Sequence, residues 1–217
     1  IANALGKSNR IEIGSEIQMG IGVSLVAGVI ASALVWTFDS FILIHLLNAP
    51  KDLYDIALPY FKVRAFGFPF VLGLSVATAT LRGTQRLAQS FYLIGFVTIV
   101  NIVSTYFLMF PLNYGFIGAA FGTLFSYCLG YLGFLIYAFV NRSNLGLESF
   151  HGFHLNRILS FGSDAFNIFL RTATLTGSFF ILTSMATRLG STALAAHQVL
   201  FQYWVQPAFI VDGLAIV

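Results

Sequence analysis

The run that decides the fold extends from residue 87 to residue 141 and reads LAQSFYLIGFVTIVNIVSTYFLMFPLNYGFIGAAFGTLFSYCLGYLGFLIYAFVN. It contains no Asp, Glu, Lys or Arg. A helix that crosses a bilayer needs about 20 mainly apolar residues, so this run is too long for one crossing and suits two. The cluster from Pro111 to Gly115 divides it, because a helix rarely continues through Pro, Asn and Gly together. The run therefore predicts two transmembrane helices, at about residues 88–110 and 116–140.

The whole chain has the composition of a membrane protein. Of its 217 residues, 58% are hydrophobic and 9% are charged, whereas about 25% of residues are charged in soluble domains. Eight acidic and 11 basic residues cannot cover the surface of a soluble fold of this size. The net charge of +3 is spread over several loops without a basic block, so we expect no nucleic-acid partner. The composition predicts an integral, multi-pass membrane protein with the lipid bilayer as its solvent.

Charged residues delimit four further apolar segments. They cover about residues 17–38, the stretch between Arg64 and Arg82, residues 160–187, and the stretch from about 192 to the end of the chain. Unpaired backbone groups cost several kcal/mol each in hydrocarbon, so these segments must be helical. The sequence therefore predicts an all-α polytopic membrane protein with six transmembrane helices.

The basic residues are distributed unequally between the two sides that six crossings create. The side of the N-terminal segment receives six of them, Lys7, Arg10, Arg82, Arg86, Arg142 and Arg157, and the other side receives four, Lys51, Lys62, Arg64 and Arg188. The positive-inside rule then places the N-terminal segment in the cytoplasm.

Polar side chains within apolar helices are the candidate functional residues, because each costs free energy unless it finds a partner. Thr98, Asn101 and Thr105 follow one another at spacings of three and four residues and share one helix face. Thr123 and Ser126 form a similar face on the next helix. Such oxygen-rich faces suit a cation or a water-filled cavity. The alternative is ordinary hydrogen bonding between helices, worth about 0.6–2 kcal/mol.

The last two predicted helices carry four more candidates. Arg171 and Asp212 are charged residues in apolar segments, and they either pair with each other or reach the membrane interface. Gln198 and Gln202 lie four residues apart and place two amides on one helix face, which favours water, a substrate or polar neighbours.

No catalytic set is present in the sequence, so we do not expect an enzyme. There is no Gly-Lys-Ser/Thr motif to cradle a nucleotide phosphate, and ATP is therefore not the predicted energy source. His151 and His154 have the spacing of metal ligands but no third ligand nearby, and we read them as loop residues. We expect no metal and no other cofactor.

Four stretches that follow one another in order across nearly the whole chain have counterparts in one known family. They are Ala2–Asn9; Tyr60–Gly67 with Leu81–Gln85; Asn101–Val103 with Gly118–Thr123; and Arg188–Gly190 with Leu194–Gln198 and Asp212–Ala215. Together they resemble the multidrug and toxic compound extrusion (MATE) transporters, and within that family the DinF-like branch.

The resemblance implies a particular organisation. The chain would cover the third to eighth transmembrane helices of a twelve-helix, two-lobe transporter, so we expect it to be a piece of a longer protein. Residues 1–140 would form four helices of the N-terminal lobe, residues 141–160 a cytoplasmic loop between the lobes, and residues 161–217 the start of the C-terminal lobe. The missing helices of the same parent chain are then expected partners.

The resemblance also implies a function, which is the export of small amphipathic organic compounds by antiport against H⁺ or Na⁺. The expected location is the plasma or inner membrane, with an organelle membrane as the alternative. In DinF-like relatives, an asparagine and an aspartate one turn apart on the fifth helix and a threonine on the sixth form a cation site. Asn101 and Thr123 match the first and the third, but Thr105 occupies the aspartate position. Because a hydroxyl supplies no charge, either the essential acid lies on the missing first helix or the coupling differs.

Three other functions stay open at this point. A flippase for a lipid-linked precursor needs a strongly basic cavity, and buried cations are sparse in this sequence. A channel needs polar or charged rings along several helices, whereas only short polar stripes are present. A passive membrane scaffold needs neither feature.

Overall fold

The structure, a computed structural model, describes residues 10–42, 51–147, 155–188 and 190–215. These residues form eight helices and no strand, which confirms the all-α prediction for the described part of the chain. The helices are α1 (Arg10–Thr37), α2 (Asp39–Phe41), α3 (Lys51–Phe66), α4 (Phe68–Gly83), α5 (Leu87–Met109), α6 (Gly115–Val140), α7 (Leu155–Arg188) and α8 (Ser191–Ala215). The chain divides into two compact units, Ile1–Phe153 and His154–Val217.

Helices α5 and α6 confirm the two spans predicted from the uncharged run. The break between them lies where it was predicted, and Asn113 and Gly115 there have φ values of 53° and 52°. Glycine adopts this left-handed conformation at little cost, and asparagine tolerates it better than most residues. The two residues can therefore reverse the chain within a few positions.

The second predicted span, between Arg64 and Arg82, consists mainly of α4, but a further helix precedes it. Helix α3 meets α4 at Gly67, and the two are bent by 45°. Pro69 causes the break, because it has no amide proton to donate to the carbonyl four residues before it. The predicted span began at Arg64 and so left out most of α3.

Helix α1 supplies hydrogen-bond donors to the backbone at this bend. The last carbonyls of a helix lack partners within the helix, and in a membrane such groups must be satisfied by the protein. Ser32 Oγ on α1 donates to the Ala65 carbonyl at 2.7 Å, and Trp36 Nε1 donates to the Lys62 carbonyl at 3.1 Å. The bend is thus stabilised by a helix that lies about 30 residues earlier in the chain.

The first unit is held together mainly by the packing of α5 against α6 and of α1 against α4. Its buried cluster contains Ile13, Ile17, Ala77, Leu81, Tyr131, Phe134, Ala138 and Leu145. The face of α6 that meets α5 carries small residues at every fourth position: Gly118, Gly122, Ser126 and Gly130. A Cβ atom on Gly122 would lie 2.5 Å from Thr105 Oγ1 and 2.8 Å from Thr105 Cα. Small residues of this kind let two membrane helices approach closely.

Three described helices are long and apolar enough to cross a membrane. They are α5, α6 and the part of α1 from Ile13 to Thr37. The bent pair formed by Ala57–Phe66 and α4 provides a fourth crossing if it acts as one span. Crossings by α7, with 34 residues, and by α8, with 25, stay predictions, as does the total of six.

Two helices begin earlier than predicted. Helix α1 starts at Arg10 and not near residue 17, and α7 starts at Leu155, inside the predicted loop of residues 141–160. Charged residues mark where a chain leaves hydrocarbon. A helix can continue past that point because its hydrogen bonds are internal. The assignment of the two units to transporter lobes stays a prediction.

Candidate functional site

The predicted polar residues of α5 and α6 lie mainly at the contact between these two helices. The half-buried Asn101 donates from Nδ2 to Ser126 Oγ at 3.3 Å, and Ser126 Oγ donates to the Thr123 carbonyl at 2.8 Å. Ser126 is completely buried, with 0% exposure. Asn101 therefore takes part in the interhelical hydrogen bond that the sequence left as an alternative. Among the described residues, none donates a hydrogen bond to Asn101 Oδ1.

The three predicted threonines have different surroundings. Thr105 packs against Gly122, where a Cβ atom would lie 2.8 Å from the backbone of Thr105. Thr123 Oγ1 donates to the carbonyl of Ala119, and Thr98 Oγ1 donates to that of Ile94, each at 2.9 Å and within its own helix. Thr98 is exposed, whereas Thr105 and Thr123 are half-buried. On the predicted polar face of α5, Asn101 and Thr105 therefore contact α6, whereas Thr98 is exposed and points away from the α5–α6 contact.

The candidates of the second unit are exposed where the structure describes their side chains. Arg171 lies on α7 beside a cavity that Leu170, Thr174 and Leu175 also line. Gln198 and Gln202 lie on α8 and are exposed. Asp212 falls within α8, but its side chain lies outside the described part of the chain, so its pairing with Arg171 stays a prediction.

Helices α7 and α8 contact each other through an aromatic cluster and one polar pair. His197 Nε2 and Thr183 Oγ1 are 3.2 Å apart. The ring of Phe179 lies 5.0 Å from that of Phe201 and 5.2 Å from that of Trp204, between ring centres. These contacts join the two helices within the second unit.

The first unit contains a cavity that the sequence analysis did not predict. Its volume is about 650 Å³, within the range of small-molecule sites. Residues of α3 to α6 and of the turn between α5 and α6 line it: Phe66, Phe70, Ser104, Phe107, Leu108, Leu112, Tyr114, Phe121, Leu124, Phe125 and Cys128. We name it the aromatic cavity.

The aromatic cavity and the predicted polar residues occupy different faces of α6. Thr123 is two positions from both Phe121 and Phe125, and two positions correspond to about 200° of rotation around a helix. Asn101 and Thr105 on α5 do not line the cavity either. The sequence signal for the cavity is the apolar face of Phe121, Leu124, Phe125 and Cys128, which composition alone cannot distinguish from a lipid-facing surface.

Two smaller cavities adjoin this region and include cations. The first has a volume of about 430 Å³ and is lined by Arg64, Tyr60, Phe61, Val63, Gly67, Phe68, Val71, Ala120, Leu124 and Tyr127. We name it the Arg64 cavity. The second, of about 290 Å³, is lined by Trp36, Lys62, Val63, Phe66, Phe121 and Leu124. Leu124 lines all three cavities.

An ion pair that sequence analysis missed joins α2 to α3. Lys62 Nζ lies 3.2 Å from Asp39 Oδ2, and Asp39 is 9% exposed. Ser40 Oγ donates to Asp39 Oδ1 at 3.0 Å, and the Ser40 amide donates to the same oxygen at 2.5 Å. Burial disfavours the charged carboxylate, but these hydrogen bonds and the positive charge of Lys62 hold the pKa of Asp39 below its ordinary value. The sequence signal was the single charge between Glu16 and Lys51.

The apolar helices, the close glycine packing and the internal cavities define an integral multi-pass membrane protein of the helical-bundle type. Comparison with known proteins agrees. The family model MatE matches residues 1–107. The chain is 27% identical to Protein DETOXIFICATION 44, chloroplastic, of Arabidopsis thaliana, over 96% of this chain and 40% of that protein.

Two further comparisons extend over nearly the whole chain. It is 26% identical to DNA damage-inducible protein F of Escherichia coli, over 99% of this chain and 47% of that protein. A solved MOP superfamily transporter from Pyrococcus furiosus has the same fold, with a TM-score of 0.76 at 19% identity, over 94% of this chain and 46% of that one. These matches confirm the resemblance to MATE transporters that the sequence analysis described. The chain spans about two fifths to one half of the length of these relatives.

Proposed function

We propose that the full-length protein carrying this chain exports small amphipathic organic compounds by antiport against H⁺ or Na⁺. The aromatic cavity is the observation that carries this proposal. Its aromatic and aliphatic walls suit the apolar portion of such a compound. The match to the MatE family model over residues 1–107 and the similarity to a relative named DETOXIFICATION support the same function. Similarity to DNA damage-inducible protein F supports the DinF-like branch.

The contact between α5 and α6 is the proposed region for the coupling ion. Asn101 donates a hydrogen bond from its side-chain NH₂ group to Ser126. The NH₂ group of Asn101 therefore points towards α6, and its side-chain oxygen does not. Carbonyl and hydroxyl oxygens are suitable ligands for Na⁺ or for a hydrated proton. Thr105 cannot supply the charge that an aspartate would supply there, so a titrating group from elsewhere in the full-length protein completes this proposal.

The charge of the cavities argues against a lipid-linked precursor flippase, which needs a strongly basic site. Of the two cations that line the three cavities of the first unit described above, Lys62 is already paired with Asp39. That leaves Arg64 as one cation without a carboxylate among the described residues, and a diphosphate headgroup needs several. The aromatic cavity also lacks the polar rings that line an ion channel.

A transport assay on the full-length protein tests the proposal. The protein is reconstituted in vesicles loaded with an amphipathic fluorescent compound, and efflux is followed under an imposed H⁺ or Na⁺ gradient. We expect one of the two gradients to accelerate efflux. Asn101→Leu should abolish most of this acceleration, because leucine removes the oxygen and keeps the apolar volume.

The matched control is Ser75→Ala, which removes an exposed hydroxyl that bonds only the Val71 carbonyl of its own helix and lines none of the cavities described above. It should leave gradient-driven efflux unchanged, and both variants should insert into the membrane like the unmodified protein. Unchanged coupling in the Asn101 variant would contradict the ion site, and gradient-independent efflux by the unmodified protein would contradict antiport.

A further inference from the structure

The Arg64 cavity combines a cation with aromatic walls. It lies at the bend between α3 and α4 and is closed on the other side by α6. Tyr60, Phe61, Phe68 and Tyr127 supply its aromatic surface, and Arg64 is half-buried among its lining residues. A pocket with apolar walls and a few convergent polar groups is the usual form of a small-molecule site.

The charge of Arg64 is not neutralised within the described part of the chain. No described carboxylate lies within salt-bridge distance of its guanidinium, and the buried Asp39 is already bonded to Lys62 at 3.2 Å. A half-buried cation without a counter-ion is costly, since burial removes water and no opposite charge replaces it. Binding of an anion at this position removes that cost.

We propose that the Arg64 cavity binds the anionic group of an amphipathic organic anion, of the aromatic carboxylate or sulfonate class. A guanidinium presents parallel N–H donors that match the two oxygens of a carboxylate, which gives both affinity and orientation. The aromatic walls contact the apolar body of the same molecule. This inference deepens the proposed function by naming the charge of the exported compound, and it rests on that function.

The position of the cavity connects it to the aromatic cavity described above. Leu124 lines both, so the two cavities adjoin each other at this side chain of α6. The 650 Å³ cavity is almost entirely apolar and offers no selection by charge, whereas the 430 Å³ cavity has a cation. Charge selection in the first unit is therefore assigned to Arg64.

A set of three ligands with one ring system tests this assignment. Naphthalene-2-acetate, 2-naphthaleneethanol and 2-naphthylethylammonium are anionic, neutral and cationic. Their binding to the purified full-length protein in phosphatidylcholine nanodiscs is measured by calorimetry, with empty nanodiscs subtracted. We expect the anion to bind most tightly and the cation least tightly. Tighter binding of the cation than of the anion overturns the proposal. Because the unmodified protein is used, this ranking does not depend on the folding of any variant.

Variants then locate the selectivity. Arg64→Gln should weaken binding of the anion about tenfold or more, as expected for a lost hydrogen bond to a charged group, and should leave the neutral ligand nearly unchanged. The matched control is Arg82→Gln, because Arg82 lies at the exposed far end of α4 and outside the cavity lining. This variant should change the binding of neither the anion nor the neutral ligand. Equal weakening of all three ligands, or unchanged anion binding, in Arg64→Gln contradicts the site.

The two proposals fail in different ways. Gradient-driven efflux of a cationic dye with no preference for the naphthalene anion would overturn the Arg64 site and leave the antiporter proposal intact. Preferred binding of the anion without any gradient-driven efflux would overturn the antiporter proposal and leave the proposal for the Arg64 site intact.

Discussion

At the scale of single residues, close helix packing depends on glycine at one position of α6. Gly122 lies against the backbone and the hydroxyl of Thr105, and an added Cβ would be 2.8 Å from both the Cα and the N of that residue. Real Cβ atoms do not approach backbone atoms so closely, so α5 would have to move. The glycines that recur along α6 are typical of a closely packed membrane helix, but they do not identify the residue against which Gly122 packs.

Gly122→Ala should therefore destabilise the protein. Overpacking of this kind costs about 1–3 kcal/mol, and the higher helix propensity of alanine recovers about 1 kcal/mol of it. We expect a lower apparent melting temperature for the purified protein in detergent. Gly133→Ala is the control, because nothing lies within 4 Å of a Cβ there and the same helix is changed. Equal melting temperatures for the two variants would show that α5 and α6 do not meet at Gly122.

At the scale of helices, the bend between α3 and α4 is held by α1. Pro69 explains from the sequence alone why a helix breaks here, but the partner of the freed backbone lies on a distant segment. Ser32 bonds the Ala65 carbonyl at 2.7 Å, besides the Gly28 carbonyl of its own helix at 2.9 Å. Local sequence contains no information about such a pairing, because it depends on how α1 packs across the bend.

Ser32→Ala should weaken this region by about 1–3 kcal/mol, the cost of a backbone carbonyl left without a donor. Ser75→Ala is the matched control, since Ser75 is exposed and bonds only the Val71 carbonyl of its own helix. Thermal unfolding in detergent of the two variants measures the difference. A Ser32 variant as stable as the Ser75 variant would mean that the Ala65 carbonyl does not rely on α1.

At the scale of the whole molecule, the number and direction of the crossings are testable. The basic residues predict that the N-terminal segment is cytoplasmic and that six helices alternate sides. Ser143, after α6, should then face the cytoplasm, whereas Leu112, between α5 and α6, and Thr192, at the start of α8, should face the opposite side. All three residues are exposed.

Single cysteines introduced at these three positions report the topology, in a background where Cys128 and any further cysteine of the full-length protein are replaced by alanine. A membrane-impermeant maleimide should label Leu112→Cys and Thr192→Cys in intact cells, and Ser143→Cys only after permeabilisation. Labelling of Thr192→Cys together with Ser143→Cys would show that α7 does not cross. The reverse pattern at all three sites would keep six crossings and invert the orientation.

The sequence by itself determined that this is an integral membrane protein and where α5 and α6 begin and end. Both properties are local, because hydropathy accumulates along one segment and Pro, Asn and Gly act on the backbone beside them. The sequence also marked Asn101 and Thr123 as polar residues in apolar helices, but it could not say what they contact.

Only the tertiary structure decided those contacts. The bond from Asn101 to Ser126 joins residues 25 positions apart, and the Arg64 cavity gathers side chains from α3, α4 and α6. Thr98 and Asn101 were predicted to share a helix face, and only the packing of α6 showed that Asn101 meets the neighbouring helix whereas Thr98 is exposed. Cavities and ion pairs depend on which helices pack together, and this packing depends on contacts between surfaces that are distant in sequence.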